Sequence, residues 1–261
     1  MLTLEQIELQ YPENLRPFKR NILREYLQYR VLDIIFNSKI SSKLSFLGGT
    51  AIRMLYGNTR FSEDLDFDNF GLTKDEFSEL AGVIKAGMEA QGYALAVDTV
   101  SKGAYRCNIR LPEILFEKGL SAHKQERILI QIDSAAHDFK YTPDRKMLNK
   151  FDVFVEIFST PVDVILSQKI YAALNRKKAK GRDFFDIVFL SALTKPNYRY
   201  LSAKLGIQNA PEVKKALLDK VHDLGLKELG RDVRNFLFDP RDVQRIEKFD
   251  KFLSGSTNPF A

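Results

Sequence analysis

One stretch limits the possible folds of this chain more than any other. Gly48, Gly49 and Thr50 form a paired glycine and a hydroxyl, and Asp64 and Asp66 follow as two carboxylates in alternation. Thirteen residues separate Thr50 from Asp64, enough for one helix (51–56) and a return to a neighbouring strand. A strand has a side-chain period of two, so Asp64 and Asp66 share one face while Leu65 and Phe67 turn to the buried one. Carboxylates side by side repel each other, and a divalent cation between them relieves the repulsion. Mg²⁺, or Mn²⁺ in its place, suits such a pair because it takes hard oxygen ligands and completes its shell with water and substrate phosphates. The glycine turn offers uncluttered backbone N–H groups at the start of a helix, where the dipole favours anions. Phosphate is expected at one end of the stretch and metal at the other.

Length and composition set the frame. The 261 residues suffice for one large or two small domains, and 44% hydrophobic content with 20 Phe and 10 Tyr describes a folded chain. No apolar run approaches the roughly 18 residues that span a bilayer, and 1–15 lacks the charged-then-apolar layout of a signal peptide. The single Cys107 excludes an intramolecular disulfide and a cysteine-based zinc site, so the expected compartment is the cytoplasm and no membrane partner is expected. A net charge of +6, from 40 basic against 34 acidic residues, is compatible with phosphate-rich partners without specifying one.

Periodicity places the elements. An amphipathic helix is expected in 15–37, where Ile22, Tyr26, Tyr29, Leu32, Ile35 and Phe36 recur at helical spacing. Strands are expected at 43–47, 63–68, 93–100, 105–111, 127–134 and 151–158, with a loop at 112–125. A helix starts at Thr73 with Glu76 completing a capping box, and ends near Gly92. Pro161 opens another helix, and from there every pattern is helical, with Pro196, Pro211 and Pro240 as breaks and a frayed polar tail at 254–261. The reading is a mixed α/β region over 1–160 followed by an all-α region over 161–261.

Gly48-Gly49-Thr50 followed by Arg60, Ser62, Asp64 and Asp66 resembles the signature of the polymerase-β-like nucleotidyltransferase superfamily. The fuller form, GGT-A then R-x-S-x-D-x-D-F, resembles the AbiEii/AbiGii-type nucleotidyltransferase toxins of type IV toxin-antitoxin and abortive-infection systems. The resemblance implies an α/β (α+β) fold: a mixed sheet with flanking helices and then a helical C-terminal region. It also implies a third carboxylate facing the first two, for which Asp133 at the end of the strand 127–134 is the match. An NTP would be the substrate, a cognate antitoxin a partner, and an RNA of the tRNA class the leading acceptor.

A second motif of that family, K-x-x-A-x3-R followed by R-D-x-x-D, is matched by Lys169, Ala172, Arg176, Arg182, Asp183 and Asp186. Asp183 and Asp186 share a helix face. Lys169 suits a triphosphate contact, and the acid pair suits either orienting the cations or acting as a general base toward the acceptor. Arg60, Ser62, Arg182 and Asp183 join Gly48, Gly49, Thr50 and Lys169 as nucleotide-binding candidates. Asp64, Asp66 and Asp133 are the metal candidates, and with Lys169 and Asp186 the catalytic ones. Lys177, Lys178 and Lys180 read as a solvated loop, Arg53 as a partner of some acid, and His123, His137 and His222 have no ligand spacing. Other functions share this core: a nucleotidyltransferase acting on a small antibiotic-like molecule, a phosphotransferase or nuclease, and a non-catalytic nucleotide-binding protein.

Overall fold

The computed structural model describes residues 2–102, 104–255 and 257–261. It divides into two compact units. The first comprises 1–57, 61–138 and 143–159, and the second 58–60, 139–142 and 160–261.

The first unit is a seven-stranded mixed sheet with helices. Its elements in chain order are α1 (Leu4–Glu8), α2 (Lys19–Phe36), β1 (Leu44–Leu47), α3 (Gly48–Tyr56), β2 (Leu65–Asn69), α4 (Lys74–Ala90), β3 (Ala96–Lys102), β4 (Ala104–Pro112), α5 (Ile114–Glu117), β5 (Arg127–Ala135), β6 (Asp144–Lys150) and β7 (Val153–Ser159). The strand order is β3-β4-β5-β2-β1-β7-β6. β2 runs antiparallel to β1 and parallel to β5, which makes the sheet mixed.

Alternation along β4 and β5 decides what each face carries. Cys107, Ile109 and Leu111, with Ile128, Ile130 and Ile132, are buried, while Arg106, Asn108 and Arg110, with Leu129, Gln131 and Asp133, take the other face. The Thr73–Glu76 capping box forms as the sequence predicts, and α4 follows it.

Several expectations need correction. The strand predicted at 63–68 begins two residues later, so Asp64 precedes β2 instead of lying in it. The chain at 62–63 is irregular and pinned by the buried Gln28, whose Nε2 donates to the carbonyls of Ser62 (3.2 Å) and Glu63 (2.8 Å). α2 is buried nearly all round and holds Glu25 inside the unit. Glu25 accepts from Arg53 (2.9 Å), Lys150 (2.8 Å) and the Tyr11 hydroxyl (2.8 Å). Burial works to raise its carboxyl, but Arg53 and Lys150 overcome that and hold it below the usual range. Strand β6 and helix α5 were not expected; α5 falls in the predicted loop.

The second unit is helical: α6 (Val162–Asn175), α7 (Gly181–Ser191), α8 (Tyr198–Leu205), α9 (Ala210–His222), α10 (Leu226–Val233), α11 (Gln244–Glu247) and α12 (Phe249–Ser254). Pro211 and Pro240 fall at breaks between helical segments as expected, each in the first turn after the break, where its missing N–H costs nothing. The tail is not frayed. Phe260 is fully buried and its carbonyl accepts from the Tyr198 hydroxyl at 2.7 Å; Ser256 lies outside the described residues. Among the described residues, no helix is long and apolar enough to cross a membrane.

Candidate functional site

In the first unit the chain turns from β1 straight into α3 at Gly48. Gly48 has φ +78°, a left-handed value that favours glycine, and a Cβ built there would overlap the Asp66 carboxylate and lie 2.9 Å from its Cγ. Leu47 pairs with Asp66 across the sheet, which brings that carboxylate to the N-terminus of α3. Glycine at 48 is therefore a cradle for Asp66. Gly48→Ala is expected to cost about 2–4 kcal/mol, combining a strained φ with an overlap. Urea denaturation of the variant measures this, and a cost below about 0.5 kcal/mol would remove the cradle from consideration.

Thr50 is buried and its hydroxyl donates to the backbone carbonyl of Asp64. It ties the α3 turn to the segment that presents Asp64. Gly49 is buried beside it in the first turn. Ser62 and Asp64 are half-buried, on the irregular segment before β2. Asp68 is buried and accepts from the backbone N–H groups of Asn69 (2.9 Å) and His137 (3.0 Å), which is turn chemistry at the strand end.

Register brings the third carboxylate into line. Asp66 on β2 pairs with Asp133 on β5, and Asp133 pairs with Arg106 on β4. Paired residues share a face, so Asp66, Asp133 and Arg106 form one row. Arg106 donates from Nε to Asp133 Oδ1 (2.7 Å), and Gln131 Nε2 donates to Oδ2 (2.7 Å). The hydrogen bond to Asp133, then its charge, and more weakly the charge of Asp64, raise the affinity of the guanidinium for its proton. Sequence reasoning passed over Arg106, although its alternation with Asn108 and Arg110 on a strand was there to be read.

These residues suit a divalent cation in part. Asp64 and Asp66 supply hard oxygen donors with Gly48 making room for one of them, and Mg²⁺ needs only one or two carboxylates when phosphates complete its shell. Among the described residues, no three His, Cys, Asp or Glu side chains converge as a metal cage.

The second unit gathers the other motif. Arg60 lies on the segment 58–60 of this unit, and its Nε and Nη2 donate to Asp186 Oδ1 (2.8 Å) and Oδ2 (2.6 Å). Asn58 Nδ2 donates to Asp186 Oδ1 at 2.8 Å, and Lys169 Nζ lies 2.9 Å from its Oδ2. Lys169 also pairs with Asp183 (3.3 Å), which meets Arg176 at 2.9 Å. Asp186 is 0% exposed, Asp183 1% and Arg60 2%. Burial works to raise the Asp186 carboxyl, yet Arg60 and then Lys169 overcome it and hold the group down at about 2. Asp186 thus accepts from Asn58, Arg60 and Lys169 at once within the second unit.

Arg182 is half-buried in the first turn of α7. Its charge, together with burial and Arg176, lowers the Lys180 ammonium below its ordinary value. Gly181 permits a close approach: a Cβ there would overlap the carbonyl oxygen of Leu229.

Residues 30–258 match the family model described as "Nucleotidyl transferase AbiEii toxin, Type IV TA system". Comparison with the curated proteins gives no match. Among solved structures, the chain is similar to MenT4, a nucleotidyltransferase toxin from Mycobacterium tuberculosis H37Rv, with 15% identity, TM-score 0.57, and 98% of this chain and 91% of that one covered. It is also similar to JHP933 from Helicobacter pylori, with 16% identity, TM-score 0.55, and coverage of 90% and 91%.

Proposed function

Since the chain belongs to the nucleotidyl transferase AbiEii toxin family of type IV toxin-antitoxin systems, and is thus a nucleotidyltransferase, we propose that it transfers NMP from an NTP to an RNA acceptor of the tRNA class. The observation that carries the nucleotidyl-transfer part of this reading is the Gly48 cradle, where a helix N-terminus and the Asp66 carboxylate meet at one glycine with Asp133 next in the row; the RNA acceptor is taken from the resemblance to the toxin family. Asp64 and Asp66 would hold Mg²⁺ or Mn²⁺, with Asp133 available to a second ion, and the metal would supply charge stabilisation to the triphosphate.

The α3 N-terminus, with Gly48 and Gly49 presenting backbone N–H groups, attracts the phosphates. Thr50 acts through Asp64, fixing the backbone that presents it. The acceptor hydroxyl oxygen forms a bond to the α-phosphorus as the bond to the β-phosphate oxygen breaks. Pyrophosphate leaves with that electron pair, and the hydroxyl proton passes to water. In the second unit, Lys169 and Arg182 are the cations proposed to meet phosphate, with Asp183 and Asp186 holding Lys169, and Asp186 also Arg60, in place. Ser62, whose carbonyl Gln28 anchors, is assigned to the nucleotide side of the same stretch. The reaction is placed in the cytoplasm, where NTP and RNA occur together, and an antitoxin partner follows from the family.

The test is to incubate the full chain with each α-labelled NTP, Mg²⁺ and total tRNA, with and without EDTA. Label is expected on RNA with one NTP, and chelation should remove it entirely. RNA that stays unlabelled while a small-molecule acceptor takes the label would overturn the RNA reading; transfer that survives EDTA would overturn the metal.

A further inference from the structure

The row on the sheet face already contains a cation, and it belongs to the chain. Arg106, Asp133 and Asp66 are register partners across β4, β5 and β2, so neighbouring side chains stand about 5 Å apart, one strand spacing. Arg106 grips Asp133 side-on, Nε to Oδ1 at 2.7 Å and Nη2 to Oδ2 at 3.3 Å, and Gln131 adds a donor to Oδ2 at 2.7 Å. Both oxygens of this carboxylate are engaged by donors. A divalent ion approaching Asp133 also meets the guanidinium charge.

The grip is not permanent. The Arg106 side chain is 50% exposed, and ion pairs so open to water hold weakly and exchange readily. A triphosphate is a stronger bidentate partner for a guanidinium than a single carboxylate.

Building on the nucleotidyltransferase reading, we propose that Arg106 is a positioning residue: the resident counter-ion of Asp133, which keeps this carboxylate closed to a divalent cation in the nucleotide-free protein. Asp64 and Asp66 then take up metal without Asp133, and Asp133 joins only when the guanidinium leaves it for the triphosphate. The device neutralises one acid of the row, Asp133, before substrate arrives.

The test counts Mn²⁺ bound to the full chain without nucleotide, by the electron paramagnetic resonance of the free ion. Wild type, R106Q, R106K and the double variant R106Q/D133N are compared, with circular dichroism and Tm confirming that each is folded. Wild type is expected to bind one ion. R106Q should bind Mn²⁺ about tenfold tighter or take a second ion, because a unit charge is removed from about 5 Å away in a largely aqueous setting. R106K should stay near wild type, and D133N should erase the gain. A folded R106Q that binds no tighter than wild type, a gain that survives D133N, or a wild type that already binds two ions would each overturn the proposal while leaving the metal reading standing. Absence of Mn²⁺ binding in all four proteins would overturn both.

Discussion

Asp66→Asn is expected to lower nucleotidyl transfer by about a thousandfold or more while leaving the fold intact. The substitution keeps the size and shape that Gly48 accommodates while removing the charge and exchanging one acceptor oxygen for an amide NH2. What would be lost on the proposed reading is metal-derived charge stabilisation, worth several kcal/mol at about 1.4 kcal/mol per factor of ten in rate. Asp133 already has Arg106 as its counter-ion, and Asp66 lies at the α3 N-terminus where a negative charge is favoured, so Tm should stay near wild type or fall by a few degrees. Initial rates with labelled NTP, alongside a melting curve, decide the matter. A folded variant within tenfold of wild type would remove Asp66 from the proposed machinery.

Asp186→Asn is expected to destabilise the second unit by about 3–5 kcal/mol, the cost of breaking a buried ion pair by removing one partner. Arg60 would keep its buried guanidinium, 2% exposed, opposite a neutral amide, and Lys169 would retain Asp183 alone. The pH dependence has a definite sign. The folded carboxyl titrates at about 2, below its ordinary value of 3.8, so its contribution to stability is present above about pH 4 and is lost as pH falls from 4 toward 2. The wild type should lose stability through that window, and the variant, already without the charge, should lose less. Thermal denaturation followed at pH 7, 4 and 2.5 tests both the size and the slope; a wild-type-like Tm at pH 7 would contradict the first.

Much of the fold could be read where burial imposes a period. β4 and β5 alternate cleanly because one face meets the core, and α4 announces itself through Thr73 and Glu76. β6 could not be read because Asp144–Lys150 is a polar edge strand in which only Leu148 is buried. Its existence depends on pairing with β7, a nonlocal fact. The prolines at 211 and 240 marked their breaks for a local reason: each sits in the first turn of the segment after the gap, behind the caps Asn209 and Asp239.

The same division runs through the candidate site. Gly48 and Asp66 were visible because glycine freedom and strand period are local properties, whereas the irregular segment that takes Asp64 out of the strand was not. The Asp133–Arg106 pairing, the Gln28 anchor and the Glu25–Arg53–Lys150 cluster were not, because each joins residues far apart in sequence through register or helix packing. The Arg60–Asp186 pair joins two recognisable motifs across 126 positions. Pattern gave the members of that pair, and only the fold gave their bond.

That separation bears on when a growing polypeptide can become dangerous to the cell that makes it. The register of Asp66 with Asp133 cannot form until β5 has been synthesised, and the partner of Arg60 does not exist until α7 has followed. Contacts so distant along the chain are slow to close, because loop entropy must be overcome before any pairing rewards it. Ribosome-bound intermediates and truncated products ending before β5 therefore lack the Asp66–Asp133 row of the first unit, and those ending before α7 lack the buried Arg60–Asp186 pair of the second. On the proposed reading, activity waits for a chain made at least through α7.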